Sequence, residues 1–580
     1  DIAGKSETRE FEAAWVYELE AVEGKTLTLE KLVGVFTSQD QGVSDVQKSG
    51  EDFLGRSLSF DSVLEPHKAR WHELWDHADM TISGDRFCQR VARLHSFHLL
   101  VTASPHNPKI DAGMPARGLH GEAYRGHIFW DEVYIFPFFN WHFPDITRAL
   151  LTYRYRRLGA AREYARENGF KGAMYPWQTA DDGSEETQIV HYNPVSGKWG
   201  PDLSRRQRHV NIAIFYNIVS YWEATGDDTF LKEEGLEMML EIARFWADIA
   251  RKDEGDGRYH IEGVMGPDEY HEKLPGSEKD GLKDNAYTNI MVVWLLKKAL
   301  GLLDEWPDEL VAPVAKKIGF TEDETQRWRD ITSKMSVPME GTIISQYEGY
   351  MGLEELDWDA YRKKYGNIHR MDRILKAEGD TPDKYKVSKQ ADVLMTFYLI
   401  PPQKVKEILE GLGYGVDDAV ELLQKNYNYY LGRTSHGSTL SKVVHSAIAK
   451  DMGVPELTWK WFLEAMRSDV QDSQGGTTLE GIHAGVMAGT LGVIIRNFAG
   501  VTIDGGEVSV HPHLPAHWRR LSFNIQNQGV RYFIEVDRQQ ASVRVEEDGQ
   551  VQTIQVSPGE HRVLEASGSS RVLLDYTHAT

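Results

Sequence analysis

From about residue 86 to about residue 500 the chain is written in helical periods, and the helical stretches arrive in pairs. IAIFYNIVSYWEATG, GLEMMLEIARFWADIARK, AYTNIMVVWLLKKALGLL, LTWKWFLEAMRSD and GIHAGVMAGTLGVIIRNFAG repeat apolar residues at three- and four-residue spacing. The loops between them are rich in Gly, Pro and Asp. A long succession of helical hairpins leaves two architectures, a closed toroid (an α/α barrel) or an open superhelical solenoid. No regular repeat of about 34 to 45 residues marks the sequence, which favours the barrel. Long loops carrying Gly, Asp, His and Trp are what such a barrel needs at the mouth of a site.

The flanks read differently. Residues 1–40 alternate with period two in FEAAWVYELE and TLTLEKLVGVFTS, and are expected to be the last strands of a larger β-sandwich region. Two strands alone are marginal, so the chain reads as beginning inside such a region. Residues 41–85 form a helical linker containing VLEPHKARWHELWDHADM, in which Trp71 and Trp75 share a helix face. Residues 86–500 are the helical barrel. Residues 501–580 switch to short alternating segments, EVSVHP, LSFNIQ, VRYFIEVDR and SVRVEE, expected to form a small C-terminal β-sandwich domain.

Composition narrows the function classes. A net charge of −23 with no offsetting basic run argues against nucleic acid or an anionic membrane as partner. Any anionic substrate must then meet a local positive pocket. One cysteine, Cys88, excludes a disulfide framework. The apolar runs are too short for an evident bilayer span and no signal peptide stands out, so the expected setting is cytoplasmic. Sixteen Trp and twenty-five Tyr suit an enzyme that stacks sugar rings, although core packing accounts for most of them.

Five segments carry candidate chemistry. ARGLHGEAYRGHIFWDEVYIFPFF brings Arg117, Glu122, Arg125, His127, Trp130 and Asp131 together with several glycines. A Trp followed by an Asp supplies a stacking plate and a hydrogen-bond acceptor for a hydroxyl-rich ring; a helix start with a structural ion pair is the alternative. MGPDEYHE crowds Asp268, Glu269, His271 and Glu272 behind a Gly-Pro turn. A carboxylate on such a turn can face a cavity as a general acid, against the alternative of a solvated acidic loop. No second His at helical spacing completes a zinc-type site, so no metal is expected. SKQADVLM offers Lys389 and Gln390, which by themselves read as surface residues. TSHGSTLS gathers hydroxyls, a His and a Gly before a helix, which suits an anion or simple N-capping by Ser435, Ser438 or Ser441. GGTTLEGIHAGVMAGT places Glu480 and His483 three apart, expected on one helix face.

Taken together and in this order, the five segments resemble glycoside hydrolase family 65, which holds inverting phosphorylases of maltose, trehalose, kojibiose and nigerose and some hydrolases. The resemblance covers about residues 60 to 515. It implies a mainly α fold, an (α/α)6 barrel preceded by a β-sandwich and helical linker and followed by a small β domain. It implies Glu269 as the general acid. Trp130, Asp131, Lys389 and Gln390 match residues that hold the non-reducing glucose. Ser435, Gly437 and Ser438 match the phosphate loop, and His483 matches a residue that contacts phosphate. The family often runs quickly from GPDEYHE into NNAYTN, whereas here KLPGSEKDGLKD intervenes.

The implied reaction is phosphorolysis with inversion, giving β-glucose 1-phosphate and a free sugar. Inorganic phosphate is then a co-substrate and no cofactor is expected. It explains why no carboxylate base stands out to match Glu269. An inverting hydrolase needs one roughly 6.5–9.5 Å from the acid, whereas phosphate is already a nucleophile and needs only positioning. The alternatives are an inverting α-glucoside hydrolase such as a trehalase, with Glu480 or another loop carboxylate as base, and a carbohydrate-binding protein without turnover. A homodimer is compatible with the resemblance.

Overall fold

The computed structural model describes residues 4–56, 58–119, 121, 123–473, 481–504, 506–565 and 571–576. The chain divides into two units, Asp1–Asp76 and His77–Thr580.

In the first unit, Lys5–Arg9 and Glu12–Val16 form an antiparallel hairpin with Lys5 opposite Val16. The helix Val46–Leu54 follows, with the Asp45 side chain accepting from the Lys48 N–H at 2.9 Å. The alternating run TLTLEKLVGVFTS forms no strand among the described residues, contrary to its pattern. Leu27, Leu29, Val33 and Val35 stand exposed. Alternation only prepares a strand; a ladder needs a partner, and none of the described strands pairs with this run. In the helix Phe60–Ala78 the rings of Trp71 and Trp75 meet at 5.8 Å, as their spacing requires.

In the second unit six helices close into a ring. Glu132–His142 packs on Val210–Thr225, then Ala286–Glu305, Asp392–Leu399, Leu440–Asp451 and Ala484–Val493, which returns to Glu132–His142. Outside them lie Arg86–Thr102, Pro144–Arg156, Leu236–Ile249, Glu322–Lys334, Ala419–Leu431 and Pro455–Met466, alternating in sequence with the ring. This is the (α/α)6 barrel. Every residue of Glu132–His142 is buried, because an inner helix is covered on all sides and needs no polar face. Ala286–Glu305 is long and apolar enough to cross a membrane, yet it is an inner-ring helix with most of its surface covered by protein.

The inner and outer rings are tied by a buried ion pair. Arg154 Nη2 and Nε donate to Glu132 Oε2 at 2.8 and 3.0 Å, and Nη2 also reaches the Phe129 carbonyl at 3.0 Å. Both side chains are almost fully buried. Arg154→Met leaves a carboxylate in the interior without its cation, so the variant is expected to lose about 3–5 kcal/mol of stability. Chemical denaturation measures it; a loss below about 1 kcal/mol would contradict the buried pairing.

The C-terminal strands form two sheets. Gln550–Val556, Ala541–Glu547, Val530–Asp537 and Arg520–Asn527 run antiparallel in that order, and Thr81–Ser83 adds a fifth strand with Arg520 opposite Ser83. The second sheet orders Val501–Asp504, Glu507–Val510, Arg571–Asp575 and His561–Glu565. Leu521, Phe523 and Ile525 alternate inward along one strand, the period-two pattern of a half-covered sheet. The strand Thr81–Ser83 comes from the segment read in sequence as helical linker.

Candidate active site

The starts of the six inner helices gather the chemistry. Asp131, His209, Asn285, Thr439 and His483 are the residues just ahead of five of them, and Asp392 opens the sixth. Neighbouring helix starts touch. His209 lies 4.6 Å from the Trp130 ring and 6.0 Å from Tyr287. Asn285 Nδ2 donates to Asp392 Oδ2 at 2.5 Å. Thr439 Oγ1 meets His483 Nδ1 at 2.7 Å, and His483 Nε2 meets Asp131 Oδ1 at 2.9 Å. Helix N-termini carry unsatisfied N–H groups and partial positive charge, so this end of the ring favours an anion in a chain that is acidic as a whole.

Three of the five motifs are stitched together on one side. The MGPDEYHE loop turns through Glu269, whose N–H donates to the Gly266 carbonyl at 3.2 Å. Glu269 has φ 65°, a left-handed conformation uncommon for a residue with a side chain. The loop is held from SKQAD: the Lys389 N–H donates to Asp268 Oδ1 at 2.9 Å, Gln390 Nε2 to the Pro267 carbonyl at 2.8 Å, and Lys389 Nζ to Glu269 Oε2 at 2.7 Å. SHGS in turn runs beside SKQAD, with Ser435 N–H on the Ser388 carbonyl at 2.8 Å and Gly437 N–H on the Lys389 carbonyl at 3.1 Å. Tyr270 closes the circuit, its hydroxyl 2.8 Å from the His369 carbonyl and 2.9 Å from Ser435 Oγ.

The loop is anchored by the buried Asp392 and braced internally by its own buried Asp268. Asp392 accepts from the Asp268 N–H and from Asn285. Burial, and then the charge of Asp268, pushes the Asp392 carboxyl well above the usual carboxylate range. Asp268 accepts from His271 Nδ1 at 2.6 Å, and His271 Nε2 faces the Tyr385 carbonyl at 2.9 Å. Both ring nitrogens therefore meet acceptors, which only an imidazolium can satisfy. Burial opposes that charge, but the Asp268 carboxylate outweighs it and holds His271 above the usual imidazole range.

The second group joins Asp131 to His483. Trp130 stands in an aromatic box with Trp177 at 6.2 Å and His209 at 4.6 Å. Burial holds the His209 ring neutral, its pKa lowered to about 3. His483 is buried between Asp131 and Thr439, with its N–H on Asp469 Oδ2 at 2.7 Å. It precedes its helix in an extended conformation (φ −100°, ψ 95°), and Gly481 ahead of it has φ 108°. The helix on which Glu480 and His483 were expected to share a face thus starts only after His483. Glu480, like Glu122, lies outside the described residues.

Several roles assigned in sequence meet a different environment here. Gln390 is buried and its amide nitrogen grips the acid loop, leaving Oε1 without a hydrogen bond. Ser435 is engaged through its hydroxyl, whereas Ser438 is half-buried and stands clear of those hydrogen bonds. Arg125 is exposed, and Arg117 reaches the Gly481 carbonyl at 3.4 Å. The interposed KLPGSEKDGLKD leaves the acid loop and returns to it, Gly281 N–H on the Glu272 carbonyl at 2.7 Å and Leu282–Lys283 pairing with Glu262–Val264. Sequence reading missed Trp177, His209, Asn285, Asp392 and Thr439. Only Asp392 and Thr439 fell within quoted motifs. The groups with metal-like spacing among the described residues, Asp253–Asp256–His260 and His260–Asp284–Glu348, include none of the five motifs.

Relatives bear on this arrangement. An uncharacterized glycosyl hydrolase of Mycobacterium tuberculosis is 44% identical over 86% of this chain and 38% of its own length. Trehalose 6-phosphate phosphorylase of Lactococcus lactis is 41% identical over 85% of this chain and 63% of its own. Kojibiose phosphorylase of Halothermothrix orenii is 33% identical over 91% and 66%. The chain therefore spans less than two thirds of the length of these relatives. A solved structure provisionally described as a kojibiose phosphorylase from the human microbiome has the same fold, with a TM-score of 0.73 at 23% identity over 90% of this chain and 72% of that one. The models of glycosyl hydrolase family 65 match in all three parts: the N-terminal domain over residues 2–74, the central catalytic domain over 93–492 and the C-terminal domain over 501–563. With the central catalytic model alone running over more than half of its length, the chain belongs to glycosyl hydrolase family 65.

Proposed function

We propose that this enzyme cleaves an α-glucosidic disaccharide by phosphorolysis with inversion, releasing β-glucose 1-phosphate and a free sugar. The observation that carries the reading is the stitching of the acid loop to the serine-glycine loop through Lys389. A proton donor and an anion-suited loop are thereby fixed side by side at the ring of helix N-termini. The names of the Lactococcus and Halothermothrix relatives support the same reaction class.

In this reaction Trp130 and Asp131 hold the glucosyl unit, with Lys389 at its edge; Gln390 serves the acid loop. Ser435, Gly437 and Ser438 line the phosphate position, with His483 behind them. Glu269 Oε2 accepts from Lys389, so we assign the transferable proton to Oε1. A phosphate oxygen attacks the anomeric carbon from the face opposite the leaving group. The bond from that carbon to the glycosidic oxygen breaks, its electron pair stays on oxygen, and that oxygen takes the Glu269 proton. The carboxylate is reprotonated from solvent for the next turnover. Phosphate needs no base, only orientation and charge stabilisation, and neither metal nor cofactor takes part in the steps proposed.

The test is to incubate the protein with trehalose, trehalose 6-phosphate, maltose, kojibiose and nigerose, each with and without inorganic phosphate. Phosphate-dependent release of β-glucose 1-phosphate from one of them is the expected result. Glucose released at equal rate without phosphate, and no sugar phosphate, would replace this reading by the hydrolase.

A further inference from the structure

We infer that Thr439 is a positioning residue, and that Thr439, His483 and Asp131 form a relay coupling phosphate binding to glucosyl binding. The inference rests on the proposed phosphorylase reading and adds a property that neither subsite has alone.

The relay is short, buried and continuous. All three residues are at least nine-tenths buried. Asp131 can only accept, so His483 Nε2 carries the hydrogen of the 2.9 Å bond between them. In the neutral ring Nδ1 then holds a lone pair, which takes the Thr439 hydroxyl hydrogen at 2.7 Å. Both ring nitrogens are thus engaged within the protein, and phosphate cannot use the imidazole without altering one of these bonds. Rigid helix starts hold the two ends: Thr439 precedes Leu440–Asp451 and follows Ser438, and Asp131 precedes Glu132–His142. The middle is pinned by the His483 N–H on Asp469 and by the Ala484 N–H on the Ala116 carbonyl at 3.0 Å. Gly485 lets the Ala484 helix come this close, since a Cβ there would lie 3.3 Å from Asp131 Oδ1.

Each ligand acts on one end. A P–OH group of phosphate beside Ser438 donates to the Thr439 oxygen and strengthens the hydroxyl's own donation to Nδ1. The ring so polarised donates more strongly through Nε2 to the Asp131 carboxylate. Asp131 is fixed in place, and its second oxygen stays available to a sugar hydroxyl. Occupancy at one subsite therefore favours occupancy at the other, and linkage makes the effect equal in both directions.

Glucose and inorganic phosphate form a non-reacting pair on which this is measured by calorimetric titration. In the parent protein a saturating level of phosphate is expected to tighten glucose binding by roughly five-fold, and glucose to tighten phosphate equally. In Thr439→Val, which keeps the shape and loses the hydroxyl, the ratio should fall to about one; Thr439→Ser should restore it. Thr439→Ala serves in place of the valine variant if that one melts early. Coupling that survives in the hydroxyl-free variant overturns the relay. So does a parent protein that binds both ligands independently, and in that case the phosphorylase reading stands. Absence of any phosphate binding overturns both.

Discussion

Glu269→Gln is expected to abolish phosphorolysis, lowering kcat by about 10²–10⁴-fold or to background, while disaccharide and phosphate still bind. The amide keeps the size of the carboxylate and can still accept from Lys389 Nζ, which now lies 2.7 Å from Oε2. What it lacks is a proton to give to the leaving oxygen. The loop should hold its shape, because Asp268, Pro267 and Tyr270 anchor it in addition to the Glu269 side chain. Release of β-glucose 1-phosphate and calorimetric affinities, measured on the same preparation, separate the two effects. Turnover near the parent rate in this variant would remove Glu269 from the acid role. Loss of binding would make its role structural.

Gly266→Ala should be nearly as damaging without touching a chemical group. A Cβ at Gly266 would be driven into Asp392 Oδ2 and Asn285 Nδ2. Neither can withdraw freely. Asn285 also caps its helix, accepting from the Thr288 N–H at 3.0 Å, and Asp392 holds the Asp268 N–H. The acid loop must therefore move. A displacement of about 1 Å at the reacting group costs on the order of 10²-fold in rate, and overpacking a buried site costs about 1–3 kcal/mol. The expected variant has kcat reduced by about 10²-fold with a smaller change in KM and a lower melting temperature. Gly301→Ala is the control: the position is helical, with nothing within 4 Å of the added carbon. Parent-like activity in Gly266→Ala would show that the packing under the loop does not set the position of Glu269.

Much of this fold was legible because burial leaves a period. The paired helical stretches and the alternating strands after residue 501 each announce their class through which residues can face a core. The same logic overreached at two places. TLTLEKLVGVFTS alternates but has no ladder partner among the described strands. Glu480 and His483 have helical spacing, but the backbone turns at Gly481 and the helix begins after His483. Period reports what a segment is prepared to do; partners and backbone geometry decide whether it does it.

The site divides along the same line. The MGPDEYHE turn stood out because carboxylates crowded behind a Gly-Pro turn are an unusual local grouping, and the family resemblance narrowed it to Glu269 before any fold was seen. His209, Asn285 and Trp177 carry no such local mark. They matter because a closed ring brings six helix starts to one place, and closure depends on contacts between residues far apart in sequence. Lys389 and Gln390 look like surface residues in isolation, and become the clamp on the acid loop only when residues 120 and 123 positions earlier lie against them. By itself the sequence determined the helical hairpins and the C-terminal strands, since each follows from short-range spacing, and it singled out the turn that carries the proposed proton donor. The tertiary structure alone decided that Asp392 holds the loop carrying Glu269 and that His483 is shared between Asp131 and Thr439, because hydrogen bonds between distant residues form only once the ring has closed.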